Sequence, residues 1–226
     1  MIGAAVAAAA LTGTMFGVTA TPAGAASSTS DAGYTVPLKG TASRQLTSTV
    51  KLPKLTCKKS DTAGDLLSTA ISGTVGGAYD AAGVIVTMSC TGTTPTYSII
   101  GVVDDSHTTS PISANAGDVI SVAVIASPTF ETASFADATS GQGTYVDGTG
   151  FDPAQAAWDV QGGSGTGHFP KFGATTFGAL TINNKALGKF AATSFNQVDG
   201  VGNTQISVGP LSANGKSFVA TYVANT

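Results

Sequence analysis

Charged residues are scarce in this chain of 226 residues: they make up 10% of it, whereas they form about a quarter of an average globular domain. Lysine and arginine together number 10 and form no polybasic run, which argues against a surface that neutralises nucleic-acid phosphates. Glutamate occurs once, at Glu131. Beyond the N-terminal segment, no apolar stretch reaches the roughly 18 residues that a membrane-spanning helix needs. We therefore expect no nucleic-acid partner and, after removal of a leader, no membrane association.

Familiar catalytic motifs are also missing. There is no HExxH, Walker loop, GxSxG or CxxC pattern. The stretch 162–167 resembles a phosphate-binding loop only in its glycine content, because no Lys-Ser/Thr pair follows it, and we interpret it as a flexible loop. His107 and His168 are the only histidines; each is interpreted as a surface residue, although a Ser-His-Asp site built on one of them stays an alternative.

Acidic pairs offer little to a metal ion. Asp104-Asp105 and the pair Asp147 and Asp152 carry oxygen ligands, but neither has the alternating spacing of a dedicated calcium loop. The two cysteines alone do not supply the four ligands of a structural zinc site. The sequence thus predicts no metal and no cofactor.

The residues that are abundant favour a β-sheet structure. Glycine numbers 29, hydrophobic residues make up 42%, and the apolar pattern has a period of two. In 83–90, Val84, Val86, Met88 and Cys90 share one face, which predicts a half-buried strand; 119–126 is apolar on both faces, which predicts a central strand covered on both sides. Only 61–72 groups its apolar residues as a helix does, too weakly for us to assign one. Further strands are predicted at 50–55, 97–103, 134–138, 156–161, 174–182, 204–208 and 217–223.

These strands predict an all-β fold, a two-sheet antiparallel β-sandwich with less than about a tenth helix beyond residue 33. Residues 1–25 are interpreted as a signal peptide, because an apolar run ends at the small-x-small pattern Ala23-Gly24-Ala25; a membrane-spanning helix is the alternative. The first basic residue is Lys39, so we expect the true translation start to lie upstream. Residues 26–40 are expected to form a loose Ser/Thr-rich leader and 41–226 the domain, in a secreted and monomeric protein.

Cys57 and Cys90 are the only cysteines and lie 33 residues apart. An even pair in an exported chain predicts a disulfide bond, with two buried free thiols as the alternative. The bridge would join the end of the strand at 50–55 to the end of the strand at 83–90.

Five segments resemble, in order, motifs of the eqolisins, the secreted glutamic peptidases. Segment 156–161, AAWDVQ, is similar to the family's AEWIVE strand, and 169–177, FPKFGATTF, to its FADFGSVTF motif. The other three are 112–124, 136–142 and 217–223. The resemblance covers about residues 50–223 and implies a lectin-like, concanavalin A-like sandwich with a cleft on its concave face.

The family's mechanism uses a glutamate as general base and a glutamine that positions water and stabilises the oxyanion. At the glutamate position this chain has Gln161, whose amide has no useful proton affinity. The matching stretch for the glutamine, 81–87, contains none. The resemblance therefore predicts a member without peptidase chemistry.

Asp159 lies two residues before Gln161 and shares its face of the strand. It is either a displaced base or a polar residue on a solvated concave face. Thr87, Ser89, Asp159 and Gln161 are the candidate cleft residues. Two functions remain: a secreted protein that binds a peptide or a glycan, or an acid-active hydrolase using Asp159.

Overall fold

The computed structural model describes residues 26–40, 42–61, 64–104, 107–162 and 169–223. These contain one 3-10 turn, η1 (Leu187–Lys189), and no helix long and apolar enough to cross a membrane. The strands are β1 (Ala26–Ser28), β2 (Ala32–Pro37), β3 (Arg44–Lys51), β4 (Asp65–Val75), β5 (Ala78–Thr91), β6 (Thr94–Val103), β7 (His107–Thr108), β8 (Ile112–Ala114), β9 (Val119–Ser127), β10 (Phe130–Asp137), β11 (Gly143–Gly148), β12 (Asp152–Gln161), β13 (Ala174–Ile182), β14 (Lys185–Ala186), β15 (Thr193–Val198), β16 (Thr204–Val208) and β17 (Phe218–Tyr222).

Two layers of strands face each other across the core. One layer runs β6–β5–β4–β12–β2, and the other runs β13–β3–β9–β10–β11. Strands β15, β16 and β17 join the layers along one side, so that hydrogen bonding is continuous from one layer to the other. Each of these pairings is antiparallel; the short β1 pairs in parallel with β15. The predicted all-β sandwich is confirmed.

The alternation of side chains along each strand determines which residues form the core. In β12, Trp158 and Val160 are fully buried in the hydrophobic core, together with Val84, Val86 and Met88 of β5. Aromatic rings from β13 and from the joining strand β17 close the same core; Phe177 and Phe218 stack with their centroids 4.8 Å apart. The large apolar side chains that the period-two pattern assigned to one face are therefore the ones that hold the layers together.

The disulfide prediction is confirmed. Cys57 and Cys90 are bonded, with their Cα atoms 5.7 Å apart. Cys90 lies near the end of β5 as expected, whereas Cys57 lies in the irregular segment after β3. The predicted strand at 50–55 is displaced, since β3 covers Arg44–Lys51. Pro53, which lacks a backbone N–H, lies just beyond this end of the strand.

Two other expectations are corrected, for residues 26–40 and for β9, and the unassigned segment 61–72 proves to be strand. Residues 26–40 are not a loose leader, because β1 and β2 both pair within the sheet. The segment 61–72 contributes most of β4. Strand β9 is central, between β3 and β10, but only one of its faces is fully covered: Ser121 is exposed and Ile125 half-buried. The outer face carries the small residues Ser121 and Ala123, and it is only partly covered by the rest of the protein. The signal-peptide expectation falls on 1–25, outside the described residues.

Candidate functional site

Strand β12 carries both residues to which the family resemblance points. It lies between β2 and β4, where Asp159 is opposite Gly33 on one side and Ser68 on the other. Gln161, at the end of the strand, is opposite Leu66. Because residues two apart on a strand project to the same side, Asp159 and Gln161 share the face that points away from Trp158.

Asp159 is fully buried. The Ser68 hydroxyl donates a hydrogen bond to its Oδ1 at 2.7 Å, and its Oδ2 has no hydrogen-bond partner among the described residues. Burial raises the pKa of Asp159 to about 8, and the Asp31 carboxylate adds to the rise. Burial therefore favours the protonated, neutral form of this carboxyl. The interpretation of Asp159 as a polar residue on a solvated face is wrong.

A row of neutral side chains extends from Gln161 across the sheet. Gln161 is opposite Leu66 of β4, Leu66 is opposite Thr87 of β5, and Thr87 is opposite Ser98 of β6. All four residues are half-buried. Two strand spacings, roughly 10 Å, separate Gln161 from Thr87. We call Gln161, Thr87, Ser98, Ser89 and Thr96 the polar row.

The polar row continues toward the hairpin that joins β5 and β6. Ser89 lies two residues beyond Thr87 on the same face, and its hydroxyl is 2.7 Å from that of Thr96 on β6. Ser89 is half-buried and Thr96 exposed. The structure thus brings Gln161, Thr87 and Ser89 to one face of the sheet and buries Asp159 beside them.

The stretch 81–87, where the resemblance leads one to expect a glutamine, lies on β5, two strands from β12. Ala82, Val84 and Val86 point into the core, and the alternate residues project to the face of Asp159. Thr87 has the only hydrogen-bonding side chain in this stretch. The strand on which the family resemblance leads one to expect a glutamine amide therefore carries the hydroxyl of Thr87 instead.

The other candidate residues lie elsewhere. His107 is exposed, with its Nδ1 3.2 Å from Oδ2 of Asp104. Asp147 and Asp152 are both exposed, and Asp147 accepts a hydrogen bond from Thr132. His168, Asp105 and 163–167 lie outside the described residues.

Sequence reasoning missed the buried Asp65 and a cluster of three acidic residues, of which it had considered only Asp104 as a metal ligand. Asp65 is fully buried at the start of β4, neither of its carboxyl oxygens has a hydrogen-bond partner in the described chain, and burial raises its pKa to about 8. Asp80 and Glu131 come together with Asp104. The members of this cluster are separated by more than 20 residues in sequence, so no local spacing could have identified them.

The architecture of this chain is that of the glutamic-peptidase sandwiches. It is similar to scytalido-glutamic peptidase, solved with a transition state analog inhibitor: 14% identity, TM-score 0.64, covering 86% of this chain and 98% of that one. SCP-B of the eqolisin family, solved with the tripeptide Ala-Ile-His, gives 15% identity and TM-score 0.62, with coverage of 86% and 98%. Aspergilloglutamic peptidase from Aspergillus niger gives 20% identity and TM-score 0.55, with coverage of 70% and 99%.

The family model agrees with these structural similarities. The model of the peptidase A4 family matches residues 29–220. No curated protein is similar enough to count as a match. The chain belongs to the peptidase A4 (eqolisin) family.

Proposed function

We propose that this chain is a secreted, non-catalytic member of its family that binds a peptide along the polar row. The observation that carries the proposal is the chemistry of one face: Gln161 ends β12 where the motif comparison assigns the family's glutamate, and the neighbouring carboxyl, Asp159, is fully buried.

General acid–base catalysis needs a group that exchanges protons within hydrogen-bond reach of the substrate. The Gln161 amide has no useful proton affinity, so it can only donate and accept hydrogen bonds. Asp159 has the proton affinity, but it has no surface exposed to a substrate, and Ser68 occupies its Oδ1. Neither residue meets both requirements.

Binding a peptide requires hydrogen-bonding groups but no group that exchanges protons. Hydroxyl and amide groups donate and accept hydrogen bonds, and these are the groups that match the N–H and C=O groups of an extended peptide. The polar row offers five such side chains and no charge. SCP-B binds the tripeptide Ala-Ile-His and scytalido-glutamic peptidase a peptide-based transition state analog, which favours a peptide over a glycan as the ligand.

Secretion is supported by the Cys57–Cys90 disulfide, because such bonds persist mainly in oxidising compartments. It is also supported by the resemblance to a family of secreted peptidases.

The first test is a casein proteolysis assay from acidic to neutral pH. We expect no turnover by the wild-type chain, and none by Gln161→Glu, because the partner amide is also missing from 81–87. Acid proteolysis by the wild type that is lost in Asp159→Asn would contradict the proposal and establish the alternative, a hydrolase that uses Asp159 as base. Proteolysis that survives both Asp159→Asn and Gln161→Ala would place the active site on another face.

The second test measures binding to an array of unmodified peptides and an array of neutral glycans. We expect retention of peptides, reduced at least about threefold by Gln161→Ala or Thr87→Val, since a net hydrogen bond contributes about 1 kcal/mol. Thr221→Val, at an exposed position of the joining strand β17, is the matched control and should bind as the wild type does. Retention of glycans alone, or equal binding by all three variants, would reject a peptide site at the polar row.

A further inference from the structure

Three carboxyl groups meet at one end of the sandwich, away from the polar row. Asp80 belongs to β5, Asp104 follows β6, and Glu131 belongs to β10 of the opposite layer. One oxygen from each lies within 4.8 Å of the other two. We call these three residues the acidic cluster.

The cluster differs from an ordinary group of surface acids in its burial. Glu131 is fully buried and Asp80 is 8% exposed, whereas Asp104 retains some exposure and opens the cluster to solvent. The Oε1 atom of Glu131 accepts a hydrogen bond from the backbone N–H of Asp104 at 2.9 Å. Its Oε2 atom is buried without any hydrogen-bond partner in the described part of the chain. Burying an unpaired polar atom is costly, so this oxygen needs a partner. A proton on the carboxyl, whose pKa burial raises to about 8, or a bound cation would supply one.

Little positive charge lies beside Glu131 and Asp104 in the part of the chain that the structure describes. Among the described residues, no lysine or arginine pairs with Glu131 or Asp104; the one ion-pair contact there is His107 with Asp104 at 3.2 Å. The other oxygen of Asp104, Oδ1, accepts a hydrogen bond from the Thr149 hydroxyl at 2.9 Å. Thr149 therefore orients the Asp104 carboxylate without compensating its charge.

Strand β11 leaves space for the cluster. At Gly148, a Cβ atom would lie 2.5 Å from Oε1 of Glu131 and 2.9 Å from Oδ2 of Asp104. Any side chain there would push the two carboxyl groups out of place. The glycine is thus the residue that lets β11 pass the acidic cluster closely.

We propose that Asp80, Asp104 and Glu131 bind a divalent cation, and that the cation is Ca²⁺. The ligands are all carboxylate oxygens, which hard cations prefer. Ca²⁺ takes oxygens at about 2.3–2.6 Å, so two of its ligands lie up to roughly 5 Å apart, which accommodates the spacing of the cluster. Mg²⁺ requires near-octahedral ligands at about 2.0–2.1 Å, a tighter arrangement.

The test is calorimetric titration of the full-length, chelator-treated protein with CaCl2 at neutral pH, with a thermal unfolding scan beside it. We expect one Ca²⁺ per chain, a higher unfolding temperature in Ca²⁺, and weaker binding of Mg²⁺. Glu131→Gln should weaken Ca²⁺ binding at least about tenfold, because the charge of the ligands sets the affinity of such sites. Asp147→Asn, an exposed acidic residue of β11, should bind Ca²⁺ as the wild type does.

The wild-type titration decides the matter even if Glu131→Gln does not fold, and Asp80→Asn provides a second variant. Absence of heat and of thermal stabilisation in the wild type would overturn the proposal, and would mean that the carboxyls are neutralised by protons alone. Unchanged Ca²⁺ affinity in folded Glu131→Gln or Asp80→Asn would overturn the assignment to this cluster. Mg²⁺ binding equal to that of Ca²⁺ would overturn the choice of ion.

Discussion

At the scale of single residues, the ionisation of Asp159 makes the free energy of unfolding depend on pH. Its pKa is 3.8 when exposed and about 8 in the folded protein, because burial disfavours the charged form. Between these values the folded chain holds a proton that the unfolded chain releases. The contribution of Asp159 to stability is therefore largest below about pH 4 and is lost as the pH rises toward 8.

Asp159→Asn should remove this dependence. The amide stays neutral at every pH and can still accept the Ser68 hydrogen bond, so the variant should exceed the wild type in stability at about pH 8 and approach it in acid. A single such group contributes a slope of at most about 1.4 kcal/mol per pH unit. Urea unfolding over a pH series measures the slope. Asp152→Asn, exposed on the same strand, is the control; an equal slope in the wild type and Asp159→Asn would show that Asp159 is ionised when folded.

The residue patterns that were readable from sequence were those set by neighbours along the chain. Alternation along β12 correctly separated Trp158 and Val160 from Asp159 and Gln161. The burial of Asp159 was not readable, because its surroundings include Ser68 and Asp31, which come from other parts of the chain. The acidic cluster was hidden for the same reason.

At the scale of elements, the position of β2 depends on a residue that has no side chain. It lies between β12 and β15, and Gly33 is opposite both Asp159 and Phe195. A Cβ atom at Gly33 would lie 2.1 Å from the carbonyl oxygen of Trp158 and 2.7 Å from the Cα of Asp159. The strands can approach this closely only because the position has no side chain.

Gly33→Ala should therefore lower the free energy of unfolding by about 1–3 kcal/mol, the usual cost of forcing extra atoms into a packed site. Gly200→Ala is the matched control, since a Cβ there would meet nothing within 4 Å. Urea unfolding of the two variants gives the comparison. Equal stability would mean that β2 can shift away from β12 without cost.

Element boundaries followed the sequence where turn chemistry was local. Asn183 and Asn184 adopt positive φ angles of 48° and 64° in the turn between β13 and β14, as their side chains allow. The strands at 174–182 and 204–208 have the predicted bounds. The N-terminal strands were missed, because the short β1 and β2 pair only with strands more than a hundred residues away.

At the scale of the whole molecule, the disulfide restricts the unfolded chain more than it shapes the folded one. It closes a loop between residues 33 apart in sequence. In the chain-entropy model such a closure stabilises the fold by roughly 3–4 kcal/mol. In the segment that it holds, between β3 and β4, Thr56 is tied to the sheet by a bridge to Lys171.

Replacing both cysteines, Cys57→Ser with Cys90→Ser, should lower the free energy of unfolding by roughly 3–4 kcal/mol, measured by urea unfolding. Cys57 and Cys90 are only half-buried, so the substituted hydroxyls should add little cost. Wild type treated with a reducing agent is the control and should lose a similar amount. A loss below about 1 kcal/mol would show that the unfolded chain is already compact around this loop.

The order of the strands in the sheet also governs when the molecule can form. Strand β1 pairs with β15, where Ala26 is opposite Phe195, and β2 fits between β12 and β15. Strand β3 likewise needs both β9 and β13. The first strands of the chain therefore keep unpaired edges until most of the polypeptide has been synthesised. Such non-local pairing slows folding to milliseconds or seconds, and over that interval the unpaired edges of β2 are open to pairing with another chain.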